Sequence, residues 1–320
     1  MHGKIKRALV IGTGMMGPGI ALTLARGGLE VKLAARTLAS VQRGMDSFRA
    51  NLKILRDNDL ITKSEAAGIE KRVSGTTEIF EEAASADLIA ESVLEDVGIK
   101  QELFKKLEGV CPPSTIFTTN TSGIRVSEIA APLRHPERAL TTHFWMPPYL
   151  IPLVEVILGE RSSIEVGQSV YDLYKGCGKT PVLIRKDYPG QVGNRILHAI
   201  IREALFLVQE EICTAEDIDA VIKNSFGLRF PVYGPLEHID LVGLDMVSAI
   251  QTYVNPYLCN VPDCLPILKK LVAEGNLGFK TGQGLYDWRK YDAAEVKRGR
   301  DEFIIKRLKE RRTKTTAAEG

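Results

Sequence analysis

The stretch Arg7-Ala8-Leu9-Val10-Ile11-Gly12-Thr13-Gly14-Met15-Met16-Gly17 decides the fold. Its first five residues form a short apolar run, the glycines break it, and Ile20, Leu22, Leu24 and Ala25 then continue with helical character. This reads as strand, glycine turn and helix. Gly27-Gly28 stops the helix, and the β-like run Val31-Lys32-Leu33-Ala34-Ala35 follows, so the opening of the chain is a βαβ unit and implies a parallel sheet. A GxGxxG between a strand and a helix has a physical reading. Gly12 permits the tight turn, Gly14 lets a pyrophosphate approach the backbone, Gly17 allows close helix packing, and the phosphates face the helix N-terminus, where Met16 completes the candidate set. A turn without ligand would waste three glycines' conformational freedom.

Outward from this unit, residues 38 to 72 predict two helices with charged faces. Strand-like runs recur at Asp87–Ala90, Thr115–Thr118, Ala139–Thr142, Leu153–Ile157 and Pro181–Ile184, with helical stretches such as Ile99–Leu107 between them. The alternation predicts a doubly wound α/β domain of the Rossmann type over residues 1–186. Beyond Lys186-Asp187-Tyr188-Pro189-Gly190, the spacing of Ile196, Ile200, Ile201, Leu205, Val208 and Ile212 predicts a long amphipathic helix. Further helices punctuated by glycine and proline follow, and residues 187–290 are expected to form an all-α domain for substrate binding and dimerisation. Residues 291–320 are expected to be a charged tail with frayed last residues.

The composition suits packed domains, since 44% of the 320 residues are hydrophobic and 26% charged. A formal net charge of +2 provides no field to recruit nucleic acid or a membrane surface. The five cysteines, Cys111, Cys177, Cys213, Cys259 and Cys264, lack a CxxC spacing, which argues against a disulfide framework or a metal site and for a reducing cytoplasm. No apolar run approaches a membrane span, and no signal peptide is expected.

Two places concentrate candidate chemistry. The end of the second strand ordinarily supplies an acid for the adenosine ribose, and here reads Ala34-Ala35-Arg36-Thr37. With no carboxylate to repel a 2′-phosphate, Arg36 can pair with it and Thr37 can offer a hydroxyl, so the expected cofactor is NAD(P), leaning to NADP. Alternatively, Arg36 is a surface arginine. The segments Thr118–Gly123 and Thr142–Pro148 fall at strand ends, where open α/β sheets bind ligands. His143 is the best acid/base candidate, and Glu155 on the next strand can bond its far ring nitrogen and fix the tautomer. His2, His135, His198 and His238 lack that setting.

With these residues in view, the chain resembles the 3-hydroxyacyl-CoA dehydrogenase family, whose relatives include lambda-crystallin and carnitine dehydrogenase. The resemblance runs from about Lys6 to Trp288. Beyond the glycine motif it rests on Asp87–Glu91, Glu95 with Lys100, Thr119–Ser122, His143–Pro147, Leu153–Val156, Pro189–Arg195, Gly234-Pro235 with Asp240 to Asp245, and Lys280–Gly284. It implies His143 as general base in alcohol oxidation, Glu155 as its orienting partner, and Ser122 and Asn194 as polar groups around the substrate oxygen. It also implies that Glu95, Lys100, Asn120, Ser122 and Lys280 line the dinucleotide. The chain departs from the family pattern at Met146, which replaces an amide, at Gln191, which replaces an aromatic, and at Ala35.

Three functions are weighed. The first is a dehydrogenase of a short-chain 3-hydroxyacyl-CoA such as 3-hydroxybutyryl-CoA, with Lys53, Arg56 and Lys63 holding the CoA phosphates. The second is a dehydrogenase of a free hydroxy acid or related small substrate, in which those cations are a solvated face. The third is a crystallin-like structural role, which the intact quartet Ser122, His143, Glu155 and Asn194 disfavours. A homodimer is expected, because the segment Phe230 to Val247 is rich in apolar residues.

Overall fold

The computed structural model describes residues 5–318. It divides into two compact units, one running up to Val192 and resuming at Arg300, the other Gly193–Gly299.

The first unit follows the order β1 (Arg7–Ile11), α1 (Gly17–Arg26), β2 (Glu30–Ala34), α2 (Leu38–Asp57), α3 (Lys63–Lys71), β3 (Val73–Thr76), α4 (Ile79–Ala83), β4 (Leu88–Glu91), α5 (Val97–Glu108), β5 (Ile116–Thr119), α6 (Val126–Ile129), β6 (Ala139–Phe144), β7 (Leu153–Leu158), α7 (Ile164–Gly176) and β8 (Thr180–Ile184). Its eight strands form one sheet in the order β3-β2-β1-β4-β5-β6-β7-β8. Alternation along β1 shows why the strands are apolar throughout. Ala8 and Val10 enter one core cluster with Phe48, Leu55 and Tyr174, while Leu9 and Ile11 enter the other with Phe104 and Phe117. Both faces of the sheet are thus covered, as the doubly wound reading requires.

Two features differ from the sequence expectation. The short strand β3 lies within a segment that offers one apolar residue and a glycine, and it forms by parallel pairing with β2 at the sheet edge. The sheet is also not wholly parallel, because β7 runs antiparallel to β6 and β8 follows β7. Only eight residues separate Phe144 from Leu153. A parallel return needs a crossover of a dozen or more, so the chain must turn back on itself.

Local signals set the helix starts. Pro18 stands in the first turn of α1, Thr37 caps α2, Thr62 and Glu65 form a reciprocal capping box on α3, and Asp96 caps α5 through the Ile99 amide.

The second unit comprises most of α8 (Val192–Gln209) with α9 (Ala215–Asn224), α10 (Phe226–Arg229), α11 (Pro235–Val242), α12 (Leu244–Val254) and α13 (Pro266–Ala273). Among its described residues, the only buried hydrophobic ones are Leu205, Ile218, Cys259 and Leu265. The terminal segment departs from the separate charged tail expected of residues 291–320, for it forms the helix α14 (Ala293–Ala318). From Arg300 onward this helix belongs to the first unit, where Ile305 is buried in the main core and Ile304 and Leu308 pack beside it. These three residues make one apolar stripe on an otherwise charged helix. Among the described residues, no helix is long and apolar enough to cross a membrane.

Candidate active site

The glycine turn between β1 and α1 has the geometry its spacing demands. Gly12 has φ of +118°, a left-handed value, and a Cβ there would collide with the Ser92 carbonyl oxygen. A Cβ on Gly17 would collide with the Gly12 carbonyl oxygen, so both positions exclude a side chain because backbone meets backbone. Gly14 is different. A Cβ on it would meet no atom within 4 Å, so the space over its backbone is open at the N-terminus of α1. That opening fits a dinucleotide pyrophosphate, which needs bare backbone and the positive end of a helix. Met16 immediately precedes α1 and packs partly into the core.

At the end of β2, Arg36 is exposed. The Thr37 hydroxyl caps α2 by accepting from the Ser40 amide at 3.3 Å, and it donates to the Ser40 hydroxyl at 3.0 Å. Arg43, which the sequence reading missed, donates to that same Ser40 oxygen at 2.9 Å. The Arg43 guanidinium thus lies against the first turn of the helix that begins where an acid would ordinarily stand, and Arg36 precedes that helix by two residues.

The ends of β4 and β5 are joined by a buried ionic array. Glu91, fully buried, accepts from Lys100 at 2.7 Å, from the Thr119 hydroxyl at 2.6 Å and from the Val93 amide at 2.6 Å. Lys100, 1% exposed, also reaches Glu95 at 3.4 Å. Glu95 in turn accepts from the Thr121 hydroxyl and from the amides of Ser122 and Gly123 at 3.0 and 3.3 Å. Burial works to raise the Glu95 carboxyl, but the Thr121 hydrogen bond and the Lys100 charge outweigh it, and the group titrates below the ordinary range. The structure therefore brings Glu95, Lys100 and Ser122 together. It shows Lys100 fixing Glu95, which fixes the loop carrying Ser122. Asn120 accepts from the Phe144 amide at 2.9 Å and so ties this loop to the end of β6.

On β6 and β7, His143 and Glu155 are direct register partners across the antiparallel pair. His143 Nδ1 lies 2.6 Å from Glu155 Oε2, and the two residues are 5% and 2% exposed. A carboxylate can only accept, so Nδ1 carries the hydrogen and Nε2 is left to exchange a proton. The same Oε2 accepts from the Trp145 indole at 3.3 Å, with the His143 and Trp145 rings 5.7 Å apart. Trp145 was absent from the sequence candidates. The signal was its place two residues after His143, which puts both on one face of an extended strand.

The remaining candidates are carried by other elements. Asn194, in the first turn of α8, and the exposed Lys280 belong to the second unit. Lys53 and Arg56 both pair with Asp57, Lys53 at 2.7 Å and Arg56 through two nitrogens at 2.9 and 2.8 Å. Those bonds, Lys53 first, hold the Asp57 carboxyl below its ordinary value. Lys63 is exposed at the start of α3.

A glycine-turn dinucleotide fold with a buried histidine–carboxylate pair near its strand ends defines a nicotinamide-dependent oxidoreductase. The chain belongs to the 3-hydroxyacyl-CoA dehydrogenase family: residues 7–188 match the model of its NAD-binding domain and residues 190–288 that of its C-terminal domain. It is 32% identical over 310 residues to 5-formyl-3-hydroxy-2-methylpyridine 4-carboxylate 5-dehydrogenase of Mesorhizobium japonicum, covering 96% of this chain and 99% of that one. It is 36% identical over 287 residues to a probable 3-hydroxybutyryl-CoA dehydrogenase of Bacillus subtilis, covering 89% and 98%. A solved structure of a 5-formyl-3-hydroxy-2-methylpyridine 4-carboxylic acid 5-dehydrogenase, described as an NAD+ dependent dismutase, superposes with a TM-score of 0.86, covering 97% of this chain and 98% of that chain at 32% identity.

Proposed function

We propose that the protein oxidises a secondary alcohol to a ketone, or reduces the ketone, with His143 as the proton-exchanging residue and Glu155 as its orienting partner. The observation that carries this reading is the buried 2.6 Å contact between His143 Nδ1 and Glu155, which leaves Nε2 as the working nitrogen. A nicotinamide dinucleotide, held by the glycine turn and the Glu95 loop, supplies the hydride acceptor or donor. As hydride leaves the alcohol carbon, His143 takes the hydroxyl proton, and the Glu155 carboxylate compensates the positive charge that develops on the ring. Ser122, on the loop that Glu95 anchors, and Asn194 are assigned to the substrate oxygen. Lys280 is assigned to the dinucleotide.

The first substrate class is a short-chain 3-hydroxyacyl-CoA, supported by relatives named as 3-hydroxybutyryl-CoA dehydrogenases. A specific observation favours a second reading, a free hydroxy acid or similar small carboxylate. Two of the three cations assigned to CoA phosphates, Lys53 and Arg56, are engaged by Asp57, and a relative matched along nearly its whole length is named for a pyridine carboxylate. Following nicotinamide absorbance with acetoacetyl-CoA and with free acetoacetate, each against NADH and NADPH, tests both. Turnover of acetoacetyl-CoA alone supports the first class, and turnover of acetoacetate alone refutes it.

For the cofactor the reading leans to NADP. Ala35 offers no carboxylate, Arg36 stands two residues before α2, and Arg43 donates to Ser40 in its first turn, so two arginines are available for a phosphate. A homodimer through the second unit is also proposed, because Ile201, Leu236, Leu241, Leu244, Ile250 and Tyr253 are exposed on a unit that buries few apolar residues of its own. The five free cysteines suit a reducing cytoplasm.

A further inference from the structure

The first unit carries an open-mouthed pocket of about 580 Å³ that, among the described residues, shares no lining residue with the glycine turn, Glu95 or His143. Its deep wall is aliphatic and consists of Leu22, Leu55, Leu60 and Leu150, each at most 3% exposed, while Leu308 of α14 lines another part. Among the described residues, its charged lining is all of one sign, Arg26, Lys179 and Arg311. Lys179 is the informative member. Its ammonium donates to the carbonyls of Pro148 and Ile151 and stands 5.8 Å from the centre of the Phe144 ring. An ammonium has three hydrogens, and the two carbonyl bonds use two of them. Burial first, and the neighbouring Arg26 charge second, push this lysine down to about 7. A partly buried ammonium bonded to two neutral carbonyls is a standing cost that a bound anion would relieve.

We propose that this cavity is a second, non-catalytic ligand site for a medium-chain monocarboxylate, with the alkyl chain among the leucines and the carboxylate on Lys179, flanked by Arg26 and Arg311. The volume falls within the range of about 300–1,000 Å³ common for small-ligand sites. The aliphatic wall excludes a small, fully hydrated anion as the preferred ligand, and the cations favour a carboxylate head group over a neutral one. Occupancy would be felt by the catalytic strands, because Lys179 holds the segment between Phe144 and Leu153 that joins the strand of His143 to the strand of Glu155.

The test is calorimetric titration of the full chain with decanoate at saturating NADH or NADPH, so that the dinucleotide crevice is filled. Saturable binding of one decanoate per chain is expected. Octanoate should bind roughly fifteenfold more weakly, about fourfold per methylene, and acetate should not register. Lys179→Met should weaken decanoate at least tenfold and leave 1-decanol unchanged, Leu308→Trp should abolish both, and His143→Gln should alter neither. Circular dichroism checks the fold of each variant; should Lys179→Met not fold, Lys179→Gln and Leu308→Trp carry the test. Absence of saturable decanoate binding, binding indifferent to the Lys179 and Leu308 substitutions, or binding lost in His143→Gln would each overturn the proposal.

Discussion

Replacing Glu155 by Gln keeps the shape of the side chain and removes its charge, which isolates what the carboxylate contributes. With 2.6 Å between Nδ1 and Oε2, a full positive charge on the ring and a full negative charge on the carboxylate attract by about 6 kcal/mol at an effective dielectric of about 20. In the transition state the alcohol proton is roughly half transferred, so about 3 kcal/mol is at stake, or about a hundredfold in kcat. Because both residues are almost wholly buried, salt should screen this little. The assay is steady-state kcat for whichever substrate and dinucleotide the wild type turns over, paired with dinucleotide affinity from fluorescence. Glu155→Gln should lose about two orders of magnitude in kcat and bind dinucleotide as the wild type does. His143→Gln, which removes the proton acceptor itself, should lose at least as much, within the roughly 10²–10⁴ typical of an acid/base residue. A Glu155→Gln variant that folds, binds dinucleotide and keeps kcat within about threefold would refute the assignment.

Further outcomes follow from other parts of the structure. If Arg36 contacts a 2′-phosphate, a charge-assisted bond of about 1.5–3 kcal/mol predicts that Arg36→Ala weakens NADPH ten- to a hundredfold and barely changes NADH; wild-type protein that binds NADH more tightly than NADPH defeats this. Ala35→Asp should shift preference towards NAD. Lys179 titrates near 7 when folded against 10.5 when free, so below about pH 7 both states are protonated and the burial penalty is complete, and between pH 7 and 10.5 the unfolded chain holds the extra proton and stability rises. The Tm advantage of Lys179→Met over wild type should therefore shrink as pH rises through that window, and an advantage independent of pH would contradict the burial argument. Light scattering should return twice the chain mass at micromolar concentration, whereas the mass of a single chain would exclude the dimer.

How much of this was legible in the sequence depended on whether the signal was local. The βαβ opening was legible because its strand period, glycine spacing and helix period lie within 35 residues. β3 was not, because Val73-Ser74-Gly75-Thr76 has little apolar pattern and becomes a strand through its pairing with Val31–Ala34. The docking of α14 was masked by composition, since Ile304, Ile305 and Leu308 sit among lysines, arginines and acids. Lys53 and Arg56 read as free cations only when Asp57 was overlooked, four residues from one and adjacent to the other. Lys179 gave no signal, for its environment is assembled from α1, α14 and the Pro148–Ile151 segment.

The reversal of β7 explains why the catalytic pair exists where it does. Glu91 pairs with Thr119 and Thr119 with Thr141, so these three residues mark one row across β4, β5 and β6. His143 lies two residues farther along β6, about 7 Å beyond that row towards the carboxyl ends of the parallel strands. Ligands of such sheets bind on that side. A parallel β7 would enter from the opposite edge, and its first residues would lie beside the start of β6, far from His143. The short turn after Phe144 instead brings β7 back from the ligand side, so that its third residue, Glu155, meets His143 in register while both are still near that edge. The same turn carries Trp145, whose indole shares the Glu155 oxygen, and the carbonyls of Pro148 and Ile151, which Lys179 holds from β8's side. A change that lengthened this turn would disturb the register and with it the 2.6 Å contact. Inserting two glycines between Tyr149 and Leu150 should therefore lower kcat by about as much as Glu155→Gln while dinucleotide affinity is retained, and an insertion variant with wild-type kcat would show that the pair does not depend on the turn.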